Sequence, residues 1–178
     1  MVKGKRKEET IIIIGYIILV ILIWNHLPYY YSNNRTADYI TKNVAPKSRT
    51  MCAGYVIRAM WHGGCPIGLL PAYAYNKTLP QMGFKEISVK GYKPMKGDIS
   101  VVPSNKTHPF GHIVVFNGKQ WMSDSKQNHI LPSRAYKANG KYQIFRATDG
   151  WHWKHVWTTP VDWYGWIESV VKWSKKKK

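Results

Sequence analysis

Cysteine is scarce in this chain. Cys52 and Cys65 are the only 2 present, which excludes a disulfide-rich scaffold. They form no Cys-x-x-Cys pair, and the 7 histidines show no zinc-like spacing, so neither a metal nor another cofactor is expected. Acidic residues are scarce too. The chain has 9 Asp and Glu against 27 Lys and Arg, a formal charge of +18 over 178 residues. Such a field favours polyanionic partners: nucleic acid, anionic lipid or acidic cell-wall polymer. No recognisable DNA-docking motif is present, and nucleic acid is set aside. No internal repeat is visible. Apolar residues make up 44% of the chain, enough to pack a core, which argues against wholesale disorder.

The amino terminus lacks a small-x-small cleavage site after its apolar run, so a cleaved signal peptide is not expected. "MVKGKRKEE" is a basic head, and "TIIIIGYIILVILIWNHL" follows it. Residues 1–27 are therefore expected to be a basic head and transmembrane anchor, with Trp24 and Tyr29 to Tyr31 at the far interface. Lys3, Lys5, Arg6 and Lys7 would hold the amino terminus in the cytoplasm. The expected localisation is a single-pass protein of the inner membrane, with its main domain periplasmic or extracellular.

Beyond the anchor, residues 28–47 read as a linker with one short helix around residues 36–43. Ser48 suits an N-cap. Met51, Tyr55, Val56, Ala59 and Met60 recur at helical spacing, and Gly63-Gly64 closes the helix. A second helix is expected from about residue 71 to 82. The period then shortens. "FKEISV", "GDISVVP", "GHIVVFNG", "KQWMSD" and "KYQIFRAT" are short β-branched or aromatic runs between turn residues. Asn117-Gly118 predicts a two-residue hairpin between "HIVVF" and "QWMSD". Helices first and an antiparallel sheet afterwards define an α+β domain over residues 48–149. Residues 150–178 form a Trp- and Lys-rich extension, which either packs on the domain or sits on a membrane or polysaccharide surface.

A lone cysteine near a helix start is a candidate nucleophile. The helix dipole and unpaired N–H groups there favour the thiolate. Cys52 lies four residues after Ser48. It needs a base, and His112, at the mouth of "HIVVF" directly after Gly111, is the best placed. A third group must orient the imidazole. Asp124 is the first choice, although a two-residue turn pairs position 112 with 123 and leaves Asp124 one place off. Gln127 and Ser123 are the alternatives. Tyr55, His108 and Gln127 are candidate substrate-binding residues.

The order and spacing of these motifs resemble the papain-like cell-wall hydrolases of the CHAP and NlpC type. The residues that carry the likeness are Cys52 in "SRTMCAGYV", Gly97-Asp98-Ile99, Gly111-His112-Ile113 and Asp124 in "WMSDSKQ", with further likeness in "NKTLPQMGF". The resemblance implies a papain-like α+β fold with helices packed on an antiparallel sheet. It also implies a cysteine amidohydrolase that cuts amide bonds of bacterial peptidoglycan, as a lytic enzyme, phage endolysin or antibacterial effector. Expected partners are peptidoglycan and an anionic membrane or wall polymer, and an inhibitor or immunity protein is kept open. Two rivals stand beside this reading. One is a thiol acyltransferase or protein peptidase on the same fold. The other is a non-catalytic cationic binder that uses the Trp/Lys tail.

Overall fold

The computed structural model describes residues 11–20, 23 and 27–153. Residues 11–20 are helical (α1). The remaining order is β1 (Tyr29–Tyr31), α2 (Asn33–Asn43), α3 (Cys52–Gly63), a 3-10 turn (Ala72–Ala74), α4 (Tyr75–Gln81), β2 (Lys85–Ile87), β3 (Ile99–Val102), β4 (His112–Phe116), β5 (Trp121–Met122), β6 (Lys126–Gln127), α5 (Arg134–Asn139), β7 (Gln143–Arg146) and β8 (Gly150–His152). Six strands form one antiparallel sheet in the order β2-β7-β3-β4-β5-β6. The α+β class expected from the sequence is the observed one.

The expected membrane anchor is not. No helix among the described residues is long and apolar enough to cross a membrane. The apolar stretch is helical over residues 11–20 and at residue 23, and residues 1–10, 21–22 and 24–26 lie outside the described residues. The transmembrane helix and the single-pass inner-membrane localisation built on it are therefore withdrawn. The extension is described only as far as residue 153, and the Trp-rich helix expected further on lies outside the described residues.

Residues 28–47, read as a linker, contribute β1 and α2 to the packed unit. β1 pairs antiparallel with β8, joining Tyr29 to His152 and Tyr31 to Gly150. Ser32 caps α2 by accepting from the Arg35 backbone N–H, and Thr36, Ala37 and Ile40 turn inward at helical spacing. On α3, Val56, Ile57, Ala59 and Met60 are buried against the sheet residues Ile113, Val115 and Met122. Each of Val56, Ile57 and Met60 contributes about 1.5–3 kcal/mol of burial free energy. The opposite sheet face is a second apolar cluster of Val114, Trp121 and Ile144. Strand alternation thus puts Ile113 and Val115 under the helices and turns His112, Val114 and Phe116 the other way.

At the lower end of β3, Asp98 is 1% exposed. Its carboxylate accepts from Arg146 Nε and Nη2, both at 2.7 Å, from Tyr92 Oη at 2.6 Å and from the Met95 N–H at 2.8 Å. This carboxylate ties β3, β7 and the preceding turn together, and it stands at the other end of the β3–β4 pair from His112.

Candidate active site

Cys52 is the first residue of α3, half-buried, with Met51 in the cap position. Ser48 is not the cap. An extra turn intervenes, with Thr50 in the left-handed region at φ 58. A non-glycine residue persists there only where its surroundings over-determine it. Asp124 does so. Its Oδ2 accepts from the Arg49 N–H at 2.6 Å, the Met51 N–H at 3.1 Å and Ser48 Oγ at 3.0 Å. The segment that presents the cysteine is thus wrapped around one buried carboxylate.

The backbone N–H groups of Ile113, Ala53 and Cys52 itself lie near enough to the Cys52 sulfur to favour its charged form. That places the thiol toward the start of β4, where Ile113 follows His112 in sequence. Burial nevertheless pushes the thiol pKa up; those N–H groups pull against it, and the nearby Asp124 charge adds to the rise. His112 is buried and moves the opposite way. Burial lowers its pKa, the Gln127 hydrogen bond and the Asp124 charge resist, and His108 lowers it further. Both shifts favour a resting pair of neutral thiol and neutral imidazole, where the helix start alone had suggested a ready thiolate.

The third group on the imidazole is Gln127. His112 Nε2 lies 3.0 Å from Gln127 Oε1. Gln127 Nε2 donates to Ser123 Oγ, and Ser123 Oγ donates to Asp124 Oδ1 at 2.9 Å. All three sequence candidates for the orienting role therefore lie in one chain of hydrogen bonds, with Gln127 next to the histidine and Asp124 at the far end. The register explains the order. The loop after β4 spans four residues instead of two, since Phe116 pairs with Trp121 and Val115 with Met122. Trp121 then pairs with Gln127, so Gln127 stands on the His112 face. Asp124 sits in the tight connection between β5 and β6, turned toward residues 48–51.

His108 is not free over the site. Its Nδ1 lies 2.9 Å from Thr107 Oγ1, and its ring packs 4.3 Å from the Tyr136 ring, which lies 5.6 Å from His112. Tyr136 escaped the sequence reading. Its Oη donates to the Gly111 carbonyl at 2.8 Å, so the tyrosine roofs the histidine and pins the residue before it. Ser133, which accepts from the Tyr136 N–H, and Gly140 frame its six-residue helix, and that "S…G" frame was the available signal. Tyr55 lies on α3, half-buried, one turn beyond Cys52. Burial and then the Cys52 charge raise the phenol of Tyr136; at Tyr75 burial raises it, the Leu70 N–H hydrogen bond lowers it and the Cys52 charge adds to the rise. No group of three or more His, Cys, Asp or Glu able to hold a metal ion occurs among the described residues.

Such an arrangement can perform acyl transfer. A thiol, a neutral imidazole able to take its proton, and an amide that fixes the imidazole tautomer stand at a helix start whose N–H groups favour developing negative charge.

No protein-family model matches the sequence, and no curated protein matches it. Among solved structures, the chain is similar to the effector in the native type VI effector–immunity complex Tae3–Tai3 from Ralstonia pickettii. That match has 34% identity and a TM-score of 0.61, covering 66% of this chain and 100% of that one. The selenomethionine form of the same complex matches at 34% identity with a TM-score of 0.56, over 62% of this chain and 97% of that one.

Proposed function

The chain belongs to the Tae3 family of type VI effectors, and from that premise we propose that it is a cysteine amidohydrolase cutting amide bonds of bacterial peptidoglycan as an antibacterial effector. The observation that supports this is the nearness of the Cys52 sulfur to the Ile113 N–H, next in sequence to a histidine whose Nε2 lies 3.0 Å from Gln127 Oε1. The papain-like arrangement of nucleophile, base and amide orienter belongs to the same proposal. A phage endolysin no longer fits, because the similar solved structures are of a type VI effector in complex with its immunity protein. By the same analogy an immunity protein is the proposed partner, and the +18 charge suits an acidic one.

With Nε2 carrying its proton toward Gln127, Nδ1 is the basic nitrogen. Nδ1 takes the thiol proton as sulfur attacks the amide carbonyl carbon, and the backbone N–H of Cys52 stabilises the oxyanion. The imidazolium then gives its proton to the leaving amine as the C–N bond breaks. Water, deprotonated by the same nitrogen, hydrolyses the thioester and restores the thiol. Asp124, expected from the sequence to contact the imidazole, instead acts through its neighbours.

Digestion of purified sacculi with the full chain tests the proposal, with products mapped by mass spectrometry. New free amines should accumulate with the parent protein and be absent with Cys52→Ala. Undiminished cleavage by Cys52→Ala, or cleavage of proteins or lipids alone, would falsify it.

A further inference from the structure

The hydrogen-bond chain from His112 to Asp124 has a direction, and that direction sets the chemistry of the histidine. We infer that Asp124 and Ser123 are positioning residues that fix the imidazole tautomer through the amide of Gln127. The inference deepens the amidohydrolase reading and rests on it for its catalytic meaning. Glutamine alone cannot choose a tautomer. Its amide presents an acceptor or a donor to Nε2, depending on which way round it sits. Ser123, fully buried at 0% exposure, has one proton and gives it to Asp124 Oδ1. Its oxygen is therefore left to accept, and the Gln127 NH2 group donates to it. Gln127 Oε1 is thereby turned to His112, where only an Nε2–H can meet it. The proton falls on Nε2, and Nδ1 is left basic.

Asp124 is suited to this role because it is locked as an acceptor. Burial raises its pKa, but the N–H groups of Met51 and Arg49 and the hydroxyls of Ser123 and Ser48 bring it to below the usual carboxylate range. The same carboxylate holds residues 48–51 in front of Cys52. One side chain thus sets both the loop of the nucleophile and the proton position on the base.

The decisive perturbation is Asp124→Asn. With its oxygen kept toward the Arg49 and Met51 N–H groups, its NH2 faces Ser123 Oγ. The serine proton then turns to Gln127 Oε1, the glutamine NH2 turns to His112 Nε2, and the histidine proton moves to Nδ1, facing the thiol. Adding Gln127→Glu removes the reversal, since a carboxylate accepts from Ser123 and from Nε2–H alike.

The experiment reads the ring-nitrogen shifts of His112 by NMR in the full chain, assigned by loss of the signal in His112→Ala. The parent should show Nε2–H, Asp124→Asn should show Nδ1–H, and Asp124→Asn/Gln127→Glu should return to Nε2–H. Turnover on purified peptidoglycan should fall about 100-fold or more in the single variant and recover about tenfold or more in the double one. If Asp124→Asn does not fold, Ser123→Ala cuts the chain while leaving the bonds to residues 48–51, and a mixture of the two tautomers is expected. The inference is overturned if His112 keeps a single Nε2–H in the single variant or in Ser123→Ala, or if Gln127→Glu fails to restore it. Tautomers that switch as described in a protein that cuts no peptidoglycan would sink the amidase reading and leave the relay standing.

Discussion

Gly111 stands between the loop that carries His108 and the catalytic candidate His112, and replacing it with alanine separates backbone strain from steric conflict. Its φ of 68 lies in the left-handed region, where an L-residue costs about 1 kcal/mol relative to glycine. An added Cβ would also lie 2.5 Å from the Val102 carbonyl oxygen and 3.1 Å from the Tyr73 nitrogen. Both are backbone atoms, so relief requires moving β3 or the 3-10 turn, which adds about 1–3 kcal/mol. The expected total is about 2–4 kcal/mol of lost stability. Gly118 provides the control. Its φ is 98, but an added Cβ meets only Lys96 side-chain carbons at 3.6 Å, so Gly118→Ala should cost about 1 kcal/mol. Urea denaturation of the two variants beside the parent measures both, with midpoints that shift at constant slope. Because Tyr136 bonds the Gly111 carbonyl and His112 pairs with Val102, the Gly111 variant should also lose cleavage per folded molecule, while the Gly118 variant keeps it. Equal destabilisation of the two, or full activity in Gly111→Ala, would refute the steric account.

Two more outcomes follow from the charged groups. Asp98→Ala strands the Arg146 fork, a Tyr92 hydroxyl and the Met95 N–H, and should cost about 3 kcal/mol, the low end for a buried pair because Arg146 keeps contact with solvent. Its activity per folded molecule should be unchanged, which denaturation and wall digestion run in parallel would check. The pH dependence has a definite sign as well. His112 is held below its ordinary pKa by burial, so the acid limb of kcat/KM should lie below about 6.5. The unfolded chain binds that proton first, so stability should fall as pH drops below about 6.5. A further fall should follow below about 3.9, as Asp124, depressed in the folded state by its hydrogen bonds, is protonated. A pH profile with an acid limb near 8, or flat stability through this range, contradicts the burial argument.

Much of this protein was legible in its residues alone. The α+β class followed from a helical period over residues 51–60 giving way to short β-branched runs. Cys52 and His112 stood out because local rules single them out: a cysteine at a helix start, and a histidine at a strand mouth after glycine. The amino-terminal run was read as an anchor from its hydropathy alone, and no helix among the described residues is long and apolar enough to cross a membrane. Ser48 was read as a cap from its type, yet its hydroxyl went to Asp124, a partner distant in sequence that no local pattern reveals.

The identity of the group on the imidazole was decided only in three dimensions. Side chains alternate with a period of two along a strand, so a loop of four residues in place of two kept the parity, slid the partner strand by two positions and left Asp124 off the His112 face. A four-residue loop and a tight β5–β6 turn put Gln127 beside His112 and left Asp124 beneath the cysteine loop. Composition and local pattern determined which residues could do chemistry here. Register, set by cooperative pairing across the sheet, decided which of them meet.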